Sequence, residues 1–406
     1  MSPSILVTGL GSVGSYGSGA DSLRKALASS TVHTSEIDRS AGYHLPESSR
    51  RACLVAYRDL AAWVPALEAR RMSPPSKLAL AAARMALGCA GLEGAPAEES
   101  TAVIVATSFG PSSYSEGLLK QILFEGPEST SPSLFTESVA NAPAAQIAIA
   151  LRARGPSPTL CQREAGPLLA AGRGAAEIVA GRAPRALAGA VEEMTPLLHA
   201  LLDRFGALAR PEPDGGEAAR PFDRCRSGFL AGEGATILIL EEEGRARERA
   251  ARPLARVLAW GSAFDPSAPA TGWGTGHEGL ARALRRTLSR AGLEPGAVDL
   301  IVSGASGSRA GDRLEALTLR AAWGAAPLPP VVAPKAVTGE YGGGVLGPAV
   351  LAASGARFGP TPGFREPDPE LGLVAHDGSP YPAPSVVLAT SLAVGGAAAW
   401  LVLGKP

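Results

Sequence analysis

Four thiols, five imidazoles and one glycine-rich run are the first places to look for chemistry in this chain. Cys53, Cys89, Cys161 and Cys225 are widely spaced and make neither a CxxC pair nor a Cys/His cluster, so no metal site is expected. The histidines stand singly at 33, 44, 199, 277 and 376. Gly9-Leu10-Gly11-Ser12-Val13-Gly14 matches the GxGxxG pattern with which a strand, turn and helix hold a dinucleotide phosphate. However, Ser15-Tyr16-Gly17-Ser18-Gly19 prolongs the loop, and no acidic residue is evident at the end of a second strand. The run is therefore read as a tight strand-to-loop turn without a phosphate, and no cofactor is expected. Lys335 is one of only five lysines among 38 basic side chains. Either a compact ammonium is needed there, where a guanidinium would not fit, or the lysine is retained by chance.

Elements must exist to position any of these groups, and the composition says that they do. The chain has 406 residues, 46% of them hydrophobic, enough for two domain-sized cores and too apolar for disorder. Basic and acidic side chains balance at 38 each, so no overall field favours nucleic acid or an anionic membrane. Isolated cysteines and the lack of a signal-like leader lead us to expect a reducing, cytoplasmic setting. Val386 to Leu403 carries no charge over 18 residues, near the length of a membrane span. Gly395 and Gly396 interrupt it, so two buried strands joined at a glycine turn are expected instead.

Strand-like and helix-like segments alternate, which implies an α/β protein with strands covered on both faces. Strands are expected at Ile5–Thr8, Thr101–Ala106, Ile237–Leu240, Leu254–Ala259, Leu300–Val302 and Pro330–Ala333. Helices are expected at Asp21–Ala28, Pro74–Ala90, Gly279–Ala291 and Asp312–Trp323. Loops are expected at Gly126–Ser133, Arg210–Glu217 and Pro360–Pro382. The charged run Glu241–Arg249 separates two α/β halves of similar plan, 1–246 and 247–406, which suggests an internal duplication.

Several segments resemble the β-ketoacyl synthase family, and together they span almost the whole chain. Gly155-Pro156-Ser157 is similar to the GPS that opens the strand leading to that family's catalytic Cys. Gly181-Arg182-Ala183 and Ala188-Gly189-Ala190-Val191-Glu192 follow at the family's spacing. Further similarity lies in Arg70-Arg71-Met72, in Arg220-Pro221-Phe222-Asp223 and in Gly228 to Ala235. The resemblance implies a thiolase-like fold, two similar α/β halves in a layered αβαβα arrangement.

It also implies that the catalytic set is gone. Counting from Gly155, the nucleophile position holds Glu164. Gly304 to Glu315 is similar to HGTxTxxGDxxE, and its His position holds Gly304. Lys335 to Gly344 is similar to KxxxGHxxGAAG, with Glu340 at the His position. Condensation needs a thiolate to carry the acyl group and imidazoles to hold the enolate, work that a carboxylate opposes electrostatically. Ser391 to Ala397 is similar to the segment bearing an aromatic gate, and Val394 stands at the gate. Arg163-Glu164-Ala165-Gly166 looks like the AEQAGG of chain-length factors, with Glu for Gln.

The resemblance therefore implies a non-condensing subunit that pairs with a catalytic ketosynthase, meets acyl carrier protein transiently and shapes the acyl tunnel. It binds neither nucleic acid nor membrane. Tunnel or interface candidates are Tyr114, Leu118 and Ile122, at i, i+4 and i+8 of one helix, with Phe135 in the continuation. Lys335 is expected to pair with one of Glu164 and Glu340, the other glutamate having a raised pKa, so that the three fill the old site as a polar plug. The alternative is an enzyme of altered chemistry, a malonyl decarboxylase or acyltransferase, working through Glu164, Glu340 and Lys335 or through Cys161.

Overall fold

The structure is a computed structural model describing residues 3–94, 98–212 and 216–406. Ten strands form its framework. The first five are β1 (Ile5–Gly14), β2 (Ala102–Ala106), β3 (Thr159–Leu160), β4 (Arg185–Glu192) and β5 (Gly234–Glu242). The other five are β6 (Ala255–Phe264), β7 (Leu300–Val302), β8 (Val331–Val332), β9 (Val386–Leu392) and β10 (Ala397–Gly404). They run side by side as β8-β7-β9-β10-β6-β1-β5-β4-β2-β3.

This order is symmetric about the antiparallel β1–β6 pair. On one side β3 and β4 flank β2 in parallel, β5 runs antiparallel to β4, and β1 antiparallel to β5. On the other side β8 and β9 flank β7 in parallel, β10 runs antiparallel to β9, and β6 antiparallel to β10. Each strand of the first half thus has a counterpart in the second.

Alternation along the strands sorts their side chains into layers, because successive Cβ atoms point to opposite faces. Leu238 and Leu240 of β5, and Leu401 and Leu403 of β10, enter one central core. Ile237 and Ile239 enter the outer core of the first half, and Trp400 and Val402 that of the second. The helices follow suit: α1 (Ala20–Ser29), α2 (Pro74–Cys89), α3 (Ser112–Phe124), α4 (Pro132–Ser138), α5 (Ala142–Leu151), α6 (Gly166–Val179), α7 (Pro196–Arg204), α8 (His277–Ser289), α9 (Arg309–Trp323) and α10 (Leu346–Ala353). Helices α2 and α5 cover one outside and α8 and α9 the other, while α6 and α10 lie between the sheet halves. Five layers, αβαβα, result.

Two expectations are corrected here. The GxGxxG run is no turn, because β1 continues through Gly14. The alanine-rich helix α2 lies so close that a Cβ on Gly11 would overlap the Ala82 carbonyl oxygen, and one on Gly9 the Ala86 oxygen. Glycine there permits close packing of helix on strand. The expected loop at Gly126–Ser133 contains a 3-10 turn at Pro127–Ser129 and the start of α4. In Arg210–Glu217, residues 213–215 lie outside the described residues. The uncharged run at 386–403 forms two strands, with Gly395 and Gly396 at positive φ between them. Among the described residues no helix is long and apolar enough to cross a membrane.

Gly11→Ala should therefore destabilise the chain by about 3 kcal/mol, since all three atoms nearest the new methyl are backbone of α2. Urea unfolding of the variant beside the parent checks this.

Candidate functional site

The chain leaves β3, passes Cys161 and Gln162, and makes one 3-10 turn, Arg163–Ala165, before α6 begins at Gly166. Arg163 sits at φ 45, a left-handed conformation that a side-chain-bearing residue holds only when its surroundings enforce it. This elbow presents Glu164. Its Oε2 accepts the Val394 amide at 3.2 Å, and the Ser391 hydroxyl donates to its backbone oxygen at 2.6 Å. Glu164 is thereby fastened to the end of β9 and to the turn before β10. Burial, and then the Glu340 carboxylate, push its pKa up to about 7, while Lys335 pulls the other way.

Lys335 is fully buried, with its Nζ 2.7 Å and 2.9 Å from the two Glu340 oxygens. Among the described residues this is its one ion pair, and none joins it to Glu164. Glu340 is placed by backbone pairing, its amide donating to Leu230 and its carbonyl accepting from Gly232. The expected pairing of Lys335 with one glutamate, and a raised pKa on the other, is the geometry found. The filled plug is not. Glu164, Glu340 and Val394 line an open cleft of about 970 Å³, so the vacated site is a cavity rather than packed core.

Gly304 is closed to any side chain. A Cβ there would lie 2.7 Å from the Thr390 oxygen and 2.9 Å from the Ser391 Cα, both on β9. Behind it, buried Glu315 accepts the Ser303 hydroxyl at 2.6 Å and the Gly304 amide at 3.2 Å. Burial first, then nearby Asp312, raise the pKa of Glu315 to about 8. Asp312 itself binds the amides of Phe222, Ser306 and Gly307, tying α9 to two loops of the cleft wall.

The tunnel candidates fall elsewhere. Neither Tyr114, Leu118 and Ile122 nor Phe135 lines the cleft. Tyr114 donates to the Met72 carbonyl at 3.3 Å; Tyr114 and Leu118 are half-buried, while Ile122 and Phe135 are exposed. Helix α3 buries none of its residues fully, so the stripe is surface rather than core. Cys161 is exposed and outside the cleft, and buried Cys53 is inert, its thiol pushed up to about 12 by burial.

Several cleft residues escaped sequence reading, among them Phe109, Phe205, Trp273 and Arg309. They come from four distant segments, and no local pattern marks them. Glu192 had a signal, because it ends a strand whose residues 186–191 are all apolar. Its carboxylate accepts the Thr107 hydroxyl at 3.0 Å and the Ser108 and Phe109 amides, holding that loop at the cleft. Burial raises its pKa to about 7.

A doubled five-stranded half around an elbow of this kind defines a thiolase-like ketosynthase fold. The chain belongs to the β-ketoacyl synthase family: its N-terminal-domain model matches residues 2–246 and its C-terminal-domain model residues 254–352. A putative polyketide beta-ketoacyl synthase 2 of Streptomyces halstedii is 33% identical, over 92% of this chain and 88% of that one. The tetracenomycin polyketide synthase ketoacyl synthase beta subunit of Streptomyces glaucescens is 31% identical, over 91% and 90%. Among solved structures, the ishigamide ketosynthase/chain length factor superposes with a TM-score of 0.90 at 31% identity, covering 100% of both chains.

The raised pKa values carry a sign. Glu164, Glu192 and Glu315 hold their protons more tightly folded than unfolded, so their contribution is full below the unfolded value of 4.5 and lost as pH rises through 7 to 8. Stability should fall as pH rises from about 4.5 to 8, offset in part below 6.5 by buried His199, whose pKa burial lowers to about 4. Glu315→Gln should make the fall shallower, as read from urea midpoints across that range.

Proposed function

We propose that this chain is a chain-length factor, the non-condensing subunit of a type II polyketide or polyene synthase. One observation carries the reading: among the described residues no cysteine or histidine lines the cleft, although fold and elbow are intact. Thioester formation and enolate stabilisation therefore have no group to perform them. The relative whose structure is named as a ketosynthase paired with a chain length factor supports the same assembly. In this reading the chain forms a heterodimer with a catalytic ketosynthase, acyl carrier protein visits transiently, and the complex works in the cytoplasm. Its halves are 1–246 and 247–406.

The dimer face is argued from exposed apolar side chains. Leu119, Leu123 and Phe124 of α3 and Phe135 of α4 are 56%, 74%, 83% and 61% exposed, a cluster that invites a partner's apolar surface. On that face Tyr114, Leu118, Ile122 and Phe135 would border the tunnel that receives the partner's growing chain. A second reading, a decarboxylase or acyltransferase, draws on the open cleft and the near-neutral Glu164.

Co-expressed with its ketosynthase, the chain should purify as a heterodimer, and Phe124→Asp should abolish the pair. Mass spectrometry should find no acyl adduct on this chain, and no malonyl decarboxylation when the partner's catalytic cysteine and histidines are all substituted. An adduct or carbon dioxide release would favour the second reading. Leu118→Ala should lengthen the product of an intact heterodimer at little cost in stability, because the leucine is only half-buried; an unchanged product length removes Leu118 from the tunnel.

A further inference from the structure

Helix α3 carries the candidate dimer face yet buries none of its residues fully, so whatever fastens it decides how firmly that face is presented. One fastening comes from a segment remote in sequence. The short strands Ser35–Glu36 and Arg51–Cys53 pair antiparallel, and the Ile37 amide donates to the Arg50 carbonyl at 2.8 Å to close a hairpin. Its loop, 38–49, holds only turns and bends and reaches two helices. On α3, the Tyr43 hydroxyl donates to Glu116 at 2.6 Å and accepts from Lys120 at 3.0 Å. The Lys120 ammonium also pairs with Glu116 at 2.6 Å and lies 5.7 Å from the centre of the Tyr43 ring. On α7, the next residue along the loop, His44, meets buried His199 with their ring nitrogens 3.0 Å apart, and the Ser49 amide donates to Asp203 at 3.1 Å. Helix α7 in turn gives Leu198, Leu201 and Leu202 to the cleft wall.

The protons of the two imidazoles are fixed by what they touch. The Arg51 carbonyl can only accept, so His199 donates to it from Nε2 at 3.3 Å and keeps its lone pair at Nδ1. His44 must then donate from Nε2, which leaves its own lone pair at Nδ1, an atom buried without a hydrogen-bond partner among the described residues. Both rings are neutral in this arrangement, and another proton spoils it. A proton on His199 Nδ1 sets two N–H groups face to face. One on His44 Nδ1 makes a buried donor with no acceptor, which costs its full desolvation. The charged neighbours are Arg39, on the loop itself and bonded to the Leu45 carbonyl, and Asp203 on α7. Glu217 is occupied by the amides of Arg50 and Arg51, and the Arg51 guanidinium by Thr34. Burial, and then Arg39, hold the His44 pKa below 6.5 against the pull of Asp203.

We propose that the 38–49 loop is an acid-sensitive brace: with both imidazoles neutral it ties α3 to α7, and protonation of either ring releases the loop and α3 with it. Its effect on assembly rests on the chain-length-factor reading. A chain whose α3 is in place for only part of the time offers its dimer face for that fraction, and apparent affinity for the partner falls in proportion. Lowered histidine pKa values give the contribution its direction: it is full above 6.5 and lost as pH falls through the folded values. The raised glutamates act in the opposite direction, so the brace is read from the difference between the parent and a variant.

Hydrogen exchange of the full chain, in the parent and in His44→Gln, makes that comparison. The Gln amide can donate to His199 as the imidazole does, but takes up no proton near neutrality. In the parent the amides of 116–124, corrected for intrinsic exchange, should be about tenfold less protected at pH 5 than at pH 7, and in His44→Gln less than about twofold. Tyr43→Phe cuts the tie to α3 and leaves the histidines, so it should lower protection at both pH values and remove the difference between them. The same pH dependence in the parent and His44→Gln overturns the proposal, as does full protection of α3 in Tyr43→Phe. Titration with the ketosynthase should give a heterodimer about tenfold weaker at pH 5 than at pH 7 for the parent, and within about twofold for His44→Gln. An α3 that loosens in acid while no heterodimer forms at any pH supports the brace and refutes the chain-length-factor reading. A heterodimer whose α3 ignores pH does the reverse.

Discussion

An ammonium buried with no access to water must find a counter-charge, and the site is organised around that requirement. Lys335 is fully buried, and Glu340 meets it with both oxygens. Leaving such a cation unpaired would cost several kcal/mol, on the order of the penalty for any isolated buried ion. Glu340 is therefore committed, and the other consequences follow from its commitment. Glu164 has no cation to share, turns to the Val394 amide and retains its proton near neutrality. Glu315, buried behind Gly304, likewise relies on a hydroxyl and an amide rather than a charge. The space these groups leave between them is the cleft.

The elbow before α6 holds Arg163 in a left-handed conformation and is fastened on both sides. Glu164 binds the turn between β9 and β10 through its side chain, and Ser391 binds its backbone. Strand β9 closes on Gly304 so tightly that no side chain can return without moving the strand.

Close approach of backbones is the other constraint. Gly9 and Gly11 let α2 settle on β1, and a methyl group would force them apart. The central strands β1 and β6 join two halves whose strand orders match, so helices α6 and α10 are sealed between them. Apolar surface is well covered there and on both outer faces. It is left bare on α3 and α4, where Leu119, Leu123, Phe124 and Phe135 are exposed.

Much of this was legible in residue order. Alternation in Val386–Leu392 and Ala397–Gly404, split by two glycines, identified paired strands, because side-chain period and glycine conformation are local properties. Family-like spacing picked out Glu164 and Glu340, which both line the cleft, because a motif's register does not depend on folding. The glycine run at 9–14 misled, since the partner that demands glycine there is a helix some seventy residues later. Which glutamate takes Lys335, whether the site is filled or open, and that Tyr114, Leu118 and Ile122 lie at the surface were decided only by tertiary structure. Each depends on distances between segments remote in sequence, and on whether their side chains are long enough to fill the space that backbone packing leaves.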